Sequence, residues 1–176
     1  MPKKVSFSGE HQSLEGISKH YIDIESALRH FYATAPSNPL RFTGYTVEEL
    51  LAELHKRLAE EEKSGSFSVL ASLEAAFRMD YLNRVYLKKK DALSKSFRAI
   101  HKKKNVQASL DEDIFEAWAR NTNTSPQIIS NLKGAFKFRH WIAHGRYWTP
   151  KLGSKYDYHD ICALAELIHN SFPLLL

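Results

Sequence analysis

Cysteine is almost absent from this 176-residue chain, where Cys162 stands alone. A lone thiol forms neither an internal disulfide nor a thiolate metal cluster, so nothing demands an oxidising compartment and a reduced cytoplasm is the expected setting. Long apolar runs are missing as well. None approaches the roughly 20 residues that span a bilayer, and Lys3 and Lys4 lead into no apolar stretch of the signal-peptide kind. Sustained alternation of apolar and polar residues, the mark of a half-buried strand, does not appear, nor do repeats, low-complexity tracts or linkers.

What is present is basic and amphipathic. The net charge is +5 and the pI about 9.2, a balance that favours association with nucleic acid or another polyanion. The length suits one domain over residues 1–176, able to bury roughly 70% of its unfolded surface without covalent staples.

Apolar residues recur at helical spacing. Leu14, Ile17, Tyr21, Ile24, Leu28 and Phe31 form one stripe from about Ser13 to Ala33, ended by Pro36 and Pro39. Thr46 and Glu49 make a capping box for a helix to about Lys63, where Ser64-Gly65-Ser66 reads as a break. A helix bearing Leu70, Leu73, Phe77, Tyr81 and Val85 follows and is expected to be the central packing element. Asp91 caps the next, with Leu93, Phe97 and Ile100 on one face. Ser109 and Glu112 open a short helix with Ile114 and Trp118, and Ser125-Pro126 opens another. That one should stop near His144, because Gly145 suits the left-handed residue after a helix and Pro150 forbids continuation. A last helix starts at Asp157 and Asp160. The expected fold is all-α, an antiparallel bundle of about six to seven helices.

The densest chemistry lies in Phe136 to Trp148, reading FKFRHWIAHGRYW. Imidazole exchanges protons near neutrality, its unperturbed pKa being about 6.5, and guanidinium clamps phosphate through paired hydrogen bonds. Together they suit attack of a ribose 2′-hydroxyl on the adjacent phosphate, with no metal. Regular helix geometry sets His140 and His144 about 40° apart but Arg139 about 140° from His144, on two edges of one face. Other readings of the histidines are a helix-terminal pair serving the dipole, or the His-x-x-x-His spacing of a zinc site. The latter lacks the glutamate of His-Glu-x-x-His and would need a further ligand such as His159.

Arg139-His140-Trp-Ile-Ala-His144-Gly resembles the Arg-polar-x-x-x-His signature of the HEPN superfamily, all-α domains that include many metal-independent endoribonucleases of toxin–antitoxin, phage-defence and RNA-processing systems. The resemblance implies an HEPN-like bundle and a homodimer in which two motifs share a cleft. Arg139 would stabilise the phosphoryl transition state, His144 would act as general base or acid, and His140 would be the polar helper, without cofactor or metal. It also implies RNA as substrate, and an antitoxin or nucleotidyltransferase as partner. In some members the latter modifies a tyrosine two residues past the histidine. Here Arg146 holds that place and the tyrosine is Tyr147, an accessory residue.

Glu74 and Arg78 are placed either as an intrahelical pair or as accessory groups leaning into the cleft, Glu74 orienting Arg139 or His144; Asp80 lies on the opposite edge. From Lys88 to Lys104 eight Lys/Arg face one acid, Asp91, giving 8 − 1 = +7. Lys88, Lys89, Lys90, Lys102, Lys103 and Lys104, with Arg146, form the expected RNA track, or else a solvated helix face. The loop from Trp148 to Lys155, with Lys151 and Lys155, adds a further wall or a dimer contact. Two other functions fit the same residues: a non-catalytic HEPN-like nucleic-acid or nucleotide-binding module, and a helical adaptor.

Overall fold

The computed structural model describes residues 4–34 and 39–176, with side chains through most of that range. All regular structure in it is helical: α1 (Leu14–Ala33), a single turn α2 (Pro39–Phe42), α3 (Val47–Tyr86), α4 (Ala92–Lys104), α5 (Glu116–Asn121), α6 (Pro126–Ala143) and α7 (Tyr158–Ser171). A 3₁₀ turn (Asn105–Gln107) and a π-helical turn (Leu110–Phe115) join α4 to α5. The chain is therefore an all-α helical bundle, and no strand occurs among the described residues. Within those residues no helix is long and apolar enough to cross a membrane. Pro36, expected to end α1, lies outside the described residues; Pro39 opens α2.

The helix starts follow their capping residues. The Ser13 hydroxyl accepts from Gly16 N–H, Thr46 and Glu49 close a reciprocal box at α3, Asp91 accepts from Ser94 N–H, and Asp157 and Asp160 form a second reciprocal box. Ser125 departs from expectation. Its side chain makes no cap bond, so Pro126 alone, with no N–H to satisfy, marks the start of α6.

The larger correction concerns Ser64-Gly65-Ser66, which does not break a helix. Residues Val47–Tyr86 form one continuous 40-residue rod, about 60 Å long at 1.5 Å per residue. Ser66 and Ser68 hydroxyls donate to the carbonyls of Glu62 and Ser64, at 2.7 and 3.1 Å, and so stay within the helical ladder. Gly65 is a notch. Tyr21 of α1 and Tyr158 of α7 stack with ring centroids 3.7 Å apart, and a Cβ at position 65 would sit 2.8 Å from Tyr158 Cδ2 and 2.9 Å from Tyr21 Cδ2.

The rod is the spine of the fold, packed by α1, α4, α6 and α7. Leu70, Leu73 and Phe77 are fully buried, and Phe97, Ile114, Phe115, Trp118, Leu132, Ile161 and Ile168 close around them. A smaller cluster of Tyr32, Phe42 and Leu54 joins the end of α1 to the first turns of α3. Asp80, on the opposite edge of the stripe from Glu74 and Arg78, is wholly buried and structural. Its Oδ1 accepts from Arg84 Nε at 2.7 Å and from Leu175 N–H at 2.8 Å, while Arg84 also donates to Pro173 O, so the pair fastens the C-terminal tail to α3.

Candidate active site

Helix α6 runs antiparallel to α3, with Arg139 opposite Glu74 and Arg146 opposite Glu60. The end of α6 is closed as its sequence requires. His144 is the C-cap, Gly145 takes φ +77°, Gly145 N–H donates to Ile142 O and Arg146 N–H to Trp141 O. Arg146, the residue after this Schellman turn, also takes a positive φ, +58°, a conformation costly for an L residue. Its guanidinium is fixed in return by Glu60, with both carboxylate oxygens at 2.8 Å from Nη1. Arg146, and then Lys63, hold the Glu60 carboxyl below the usual carboxylate range.

Arg139 points inward. Its Nη1 lies 3.0 Å from Glu74 Oε2, and its guanidinium carbon sits 5.2 Å from the centre of the Phe67 ring. The other oxygen, Glu74 Oε1, accepts from Arg78 Nε at 2.7 Å, and Arg78 Nη1 donates to Ala108 O at 3.3 Å. The intrahelical pair and the support of Arg139 thus coexist in one carboxylate. Arg139 Nε is buried with no hydrogen-bond partner, an arrangement that costs about 1–3 kcal/mol.

The imidazoles take the other edge, as the helical wheel requires. Both His140 and His144 are exposed, with ring centroids 4.2 Å apart, and His140 lies 6.0 Å from the Trp148 ring. Trp141 Nε1 donates to Trp148 O at 2.7 Å and pins the following loop back on α6. Tyr147, 84% exposed, stands edge-on to Trp148. Among the described residues no hydrogen bond or ring contact joins Arg139 to His144. No group of three or more His, Cys, Asp or Glu side chains with metal-binding geometry occurs there either, and His159 packs beside Tyr21 and Tyr158 on α7.

The basic residues divide. Lys88, Lys89 and Lys90 follow the far end of α3, and the rise from Glu74 to Tyr86 alone is about 18 Å. Lys102, Lys103 and Lys104 end α4 much nearer the site, because Tyr81 donates to Asn105 O at 2.8 Å and Arg78 reaches Ala108 O. Lys104 is engaged by Asp113 at 2.8 Å, whereas Lys102 and Lys103 are exposed and have no ion-pair partner among the described residues.

Sequence reasoning missed three partners: Phe67 and Glu60 for the two arginines, and a cleft of about 420 Å³ between α6 and the loop after it. Glu60 lies in a run of three glutamates, and nothing in the run distinguishes it. The cleft had a signal, since Lys133, Lys137 and His140 recur at helical spacing on one face of α6. The chain matches no family model, no curated protein and no solved structure.

Proposed function

We propose that this protein is a metal-independent endoribonuclease of HEPN type, acting as a homodimer, in which a ribose 2′-oxygen attacks the adjacent phosphorus. The 2′-O–P bond forms as the P–O5′ bond breaks, leaving a 2′,3′-cyclic phosphate and a 5′-hydroxyl. An imidazole takes the 2′-hydroxyl proton and an imidazolium supplies one to the departing 5′-oxygen. His144 fills one such role in each protomer, His140 assists it, and Arg139 neutralises the charge that grows on the phosphoryl oxygens. A setting in toxin–antitoxin or phage-defence systems, in the cytoplasm, fits this chemistry.

The observation that carries the reading is the end of α6. Two exposed imidazoles 4.2 Å apart sit there, on the same last turns of α6 as an arginine that Glu74 supports and whose side chain is 30% exposed. A phosphate oxygen can approach the exposed part of that guanidinium. The test is cleavage of RNA by purified protein in excess chelator. Wild type should release 2′,3′-cyclic ends and His144→Ala should not; identical products from both would remove His144 from the chemistry.

A second reading, a nucleic-acid or nucleotide-binding module without catalysis, draws on the separation of Arg139 from His144 within one protomer. It requires salt-sensitive RNA binding that is indifferent to His144→Ala and accompanied by no chain cleavage.

A further inference from the structure

The lysines that line the cleft beside α6 are chemically different. Lys133 is neutralised twice, by Asp111 at 2.8 Å and Glu116 at 2.6 Å. Lys137, one turn further along α6, and Lys151 from the following loop also line the space, with no carboxylate or hydrogen-bond partner among the described residues. The half-buried indole of Trp148 and the imidazole of His140, whose ring neighbours His144, line the same cleft. Two unpaired ammonium groups, an aromatic wall and a volume of about 420 Å³ match one nucleotide of a single strand, its base against the indole and its phosphate on the lysines.

We infer that this cleft is the docking site for the nucleotide flanking the scissile phosphate, with Trp148 stacking its base and Lys137 and Lys151 binding its phosphate. The choice of RNA as ligand rests on the endoribonuclease reading above; the cleft itself rests on its own side chains. His140 joins the two. Spacing of Lys137 and His140 on one face of α6 directs the strand along the helix toward its C-terminal end, where the imidazoles lie. The Trp141 to Trp148 hydrogen bond keeps the wall in place before the strand arrives.

The experiment uses a short single-stranded RNA with every 2′-hydroxyl methylated, so that it binds without being cut, followed by fluorescence anisotropy. In Lys137→Ala/Lys151→Ala the dissociation constant should rise about tenfold or more. The slope of log affinity against log salt should fall by about 0.7, for the one phosphate charge that the variant no longer neutralises. Trp148→Leu should weaken binding by about fivefold or more with an unchanged salt slope. The lysine variant exchanges side chains with no hydrogen-bond or ion-pair partner among the described residues and should keep its helical circular dichroism, so it decides the matter even where Trp148→Leu loosens the loop. With cleavable RNA, the lysine variant should raise KM and leave kcat within about twofold, since its charges act on binding.

Wild-type affinity in both variants overturns the cleft. A polyglutamate peptide that competes as well as the oligonucleotide overturns nucleotide recognition. Weakened binding in the variants, together with an absence of cleavage by wild type, supports the cleft and removes the catalytic reading.

Discussion

Glu74 Oε2 lies 3.0 Å from Arg139 Nη1 while Glu74 Oε1 holds Arg78, so one carboxylate faces two guanidinium groups across the α3–α6 contact. Two positive charges on one negative leave the site with a surplus suited to a phosphodiester. Arg139 is held by Glu74 at Nη1 and by the Phe67 ring across its guanidinium, while its buried Nε has no acceptor.

The first prediction follows from that geometry. Glu74→Gln keeps an acceptor but removes the charge that orients Arg139, so kcat for RNA cleavage should fall about tenfold, equivalent to about 1.4 kcal/mol, with KM changed less than twofold. Stability should fall by less than about 1 kcal/mol, because both partners are only partly buried. Arg139→Lys should lose more. The double variant should be no worse than Arg139→Lys alone, since the two residues act as one unit. Additive losses in kcat would show that Glu74 acts independently of Arg139.

The contrast between what could and could not be read in the sequence is sharpest at Gly65 and Gly145. Gly145 was legible because its role is local: a helix end needs a left-handed residue, and the surrounding chain announces one. Gly65 is misleading because its role is tertiary. A Ser-Gly-Ser run reads as a break until two tyrosines distant in sequence, Tyr21 and Tyr158, are known to stack against it. The same division runs through the site. Arg139, His140 and His144 sit within one short motif and could be found by spacing, as could the Glu74 and Arg78 pair. Glu60 and Phe67 depend on which face of α3 meets α6, which no local pattern encodes; the cleft at Lys137 is hinted at by lysine spacing on α6 but is closed by the loop from Trp148 to Leu152, whose path the spacing does not give.

Gly65→Ala supplies the second prediction. Helix propensity alone favours alanine by about 1 kcal/mol. The new Cβ would meet the rings of Tyr158 and Tyr21 at 2.8 and 2.9 Å, and overpacking of that kind costs about 1–3 kcal/mol or more. The clash should win. Urea denaturation should show a lower midpoint for Gly65→Ala, and Gly65→Ala in a Tyr158→Leu background should recover part of the loss. A midpoint raised by the single substitution would mean that the tyrosines move aside freely.

A pH dependence follows from Glu60. Its folded-state pKa is depressed, first by the hydrogen bond from Arg146, so its contribution is present above the unfolded carboxylate value of about 4.3 and is lost as pH falls through the folded value. The tether of the Arg146 turn to α3 should therefore be intact at neutral pH and released in acid. Glu60→Gln should flatten that part of the acid stability profile and cost less than about 1 kcal/mol at pH 7, because the pair is about half exposed. Parallel wild-type and variant profiles from pH 3 to 7 would exclude the tether as a source of acid sensitivity.

The lysines give the last prediction, one that separates a track from a solvated surface. Lys102 and Lys103 end α4 beside the segment that Arg78 and Tyr81 hold to α3, within reach of a strand leaving Arg139. Lys88, Lys89 and Lys90 lie beyond the end of α3, about 18 Å or more from the Glu74 level, farther than the Debye length of about 8 Å at physiological salt. Lys102→Ala/Lys103→Ala should weaken binding of a short RNA and lower its salt slope by about 1.4, at ~0.7 per phosphate. Alanine at all three of Lys88, Lys89 and Lys90 should leave a short RNA bound as before and weaken only strands long enough to run the length of α3. Equal losses from both variants on the short RNA would mean that the positive charge acts as a diffuse field, and the track would have to be redrawn through the whole segment.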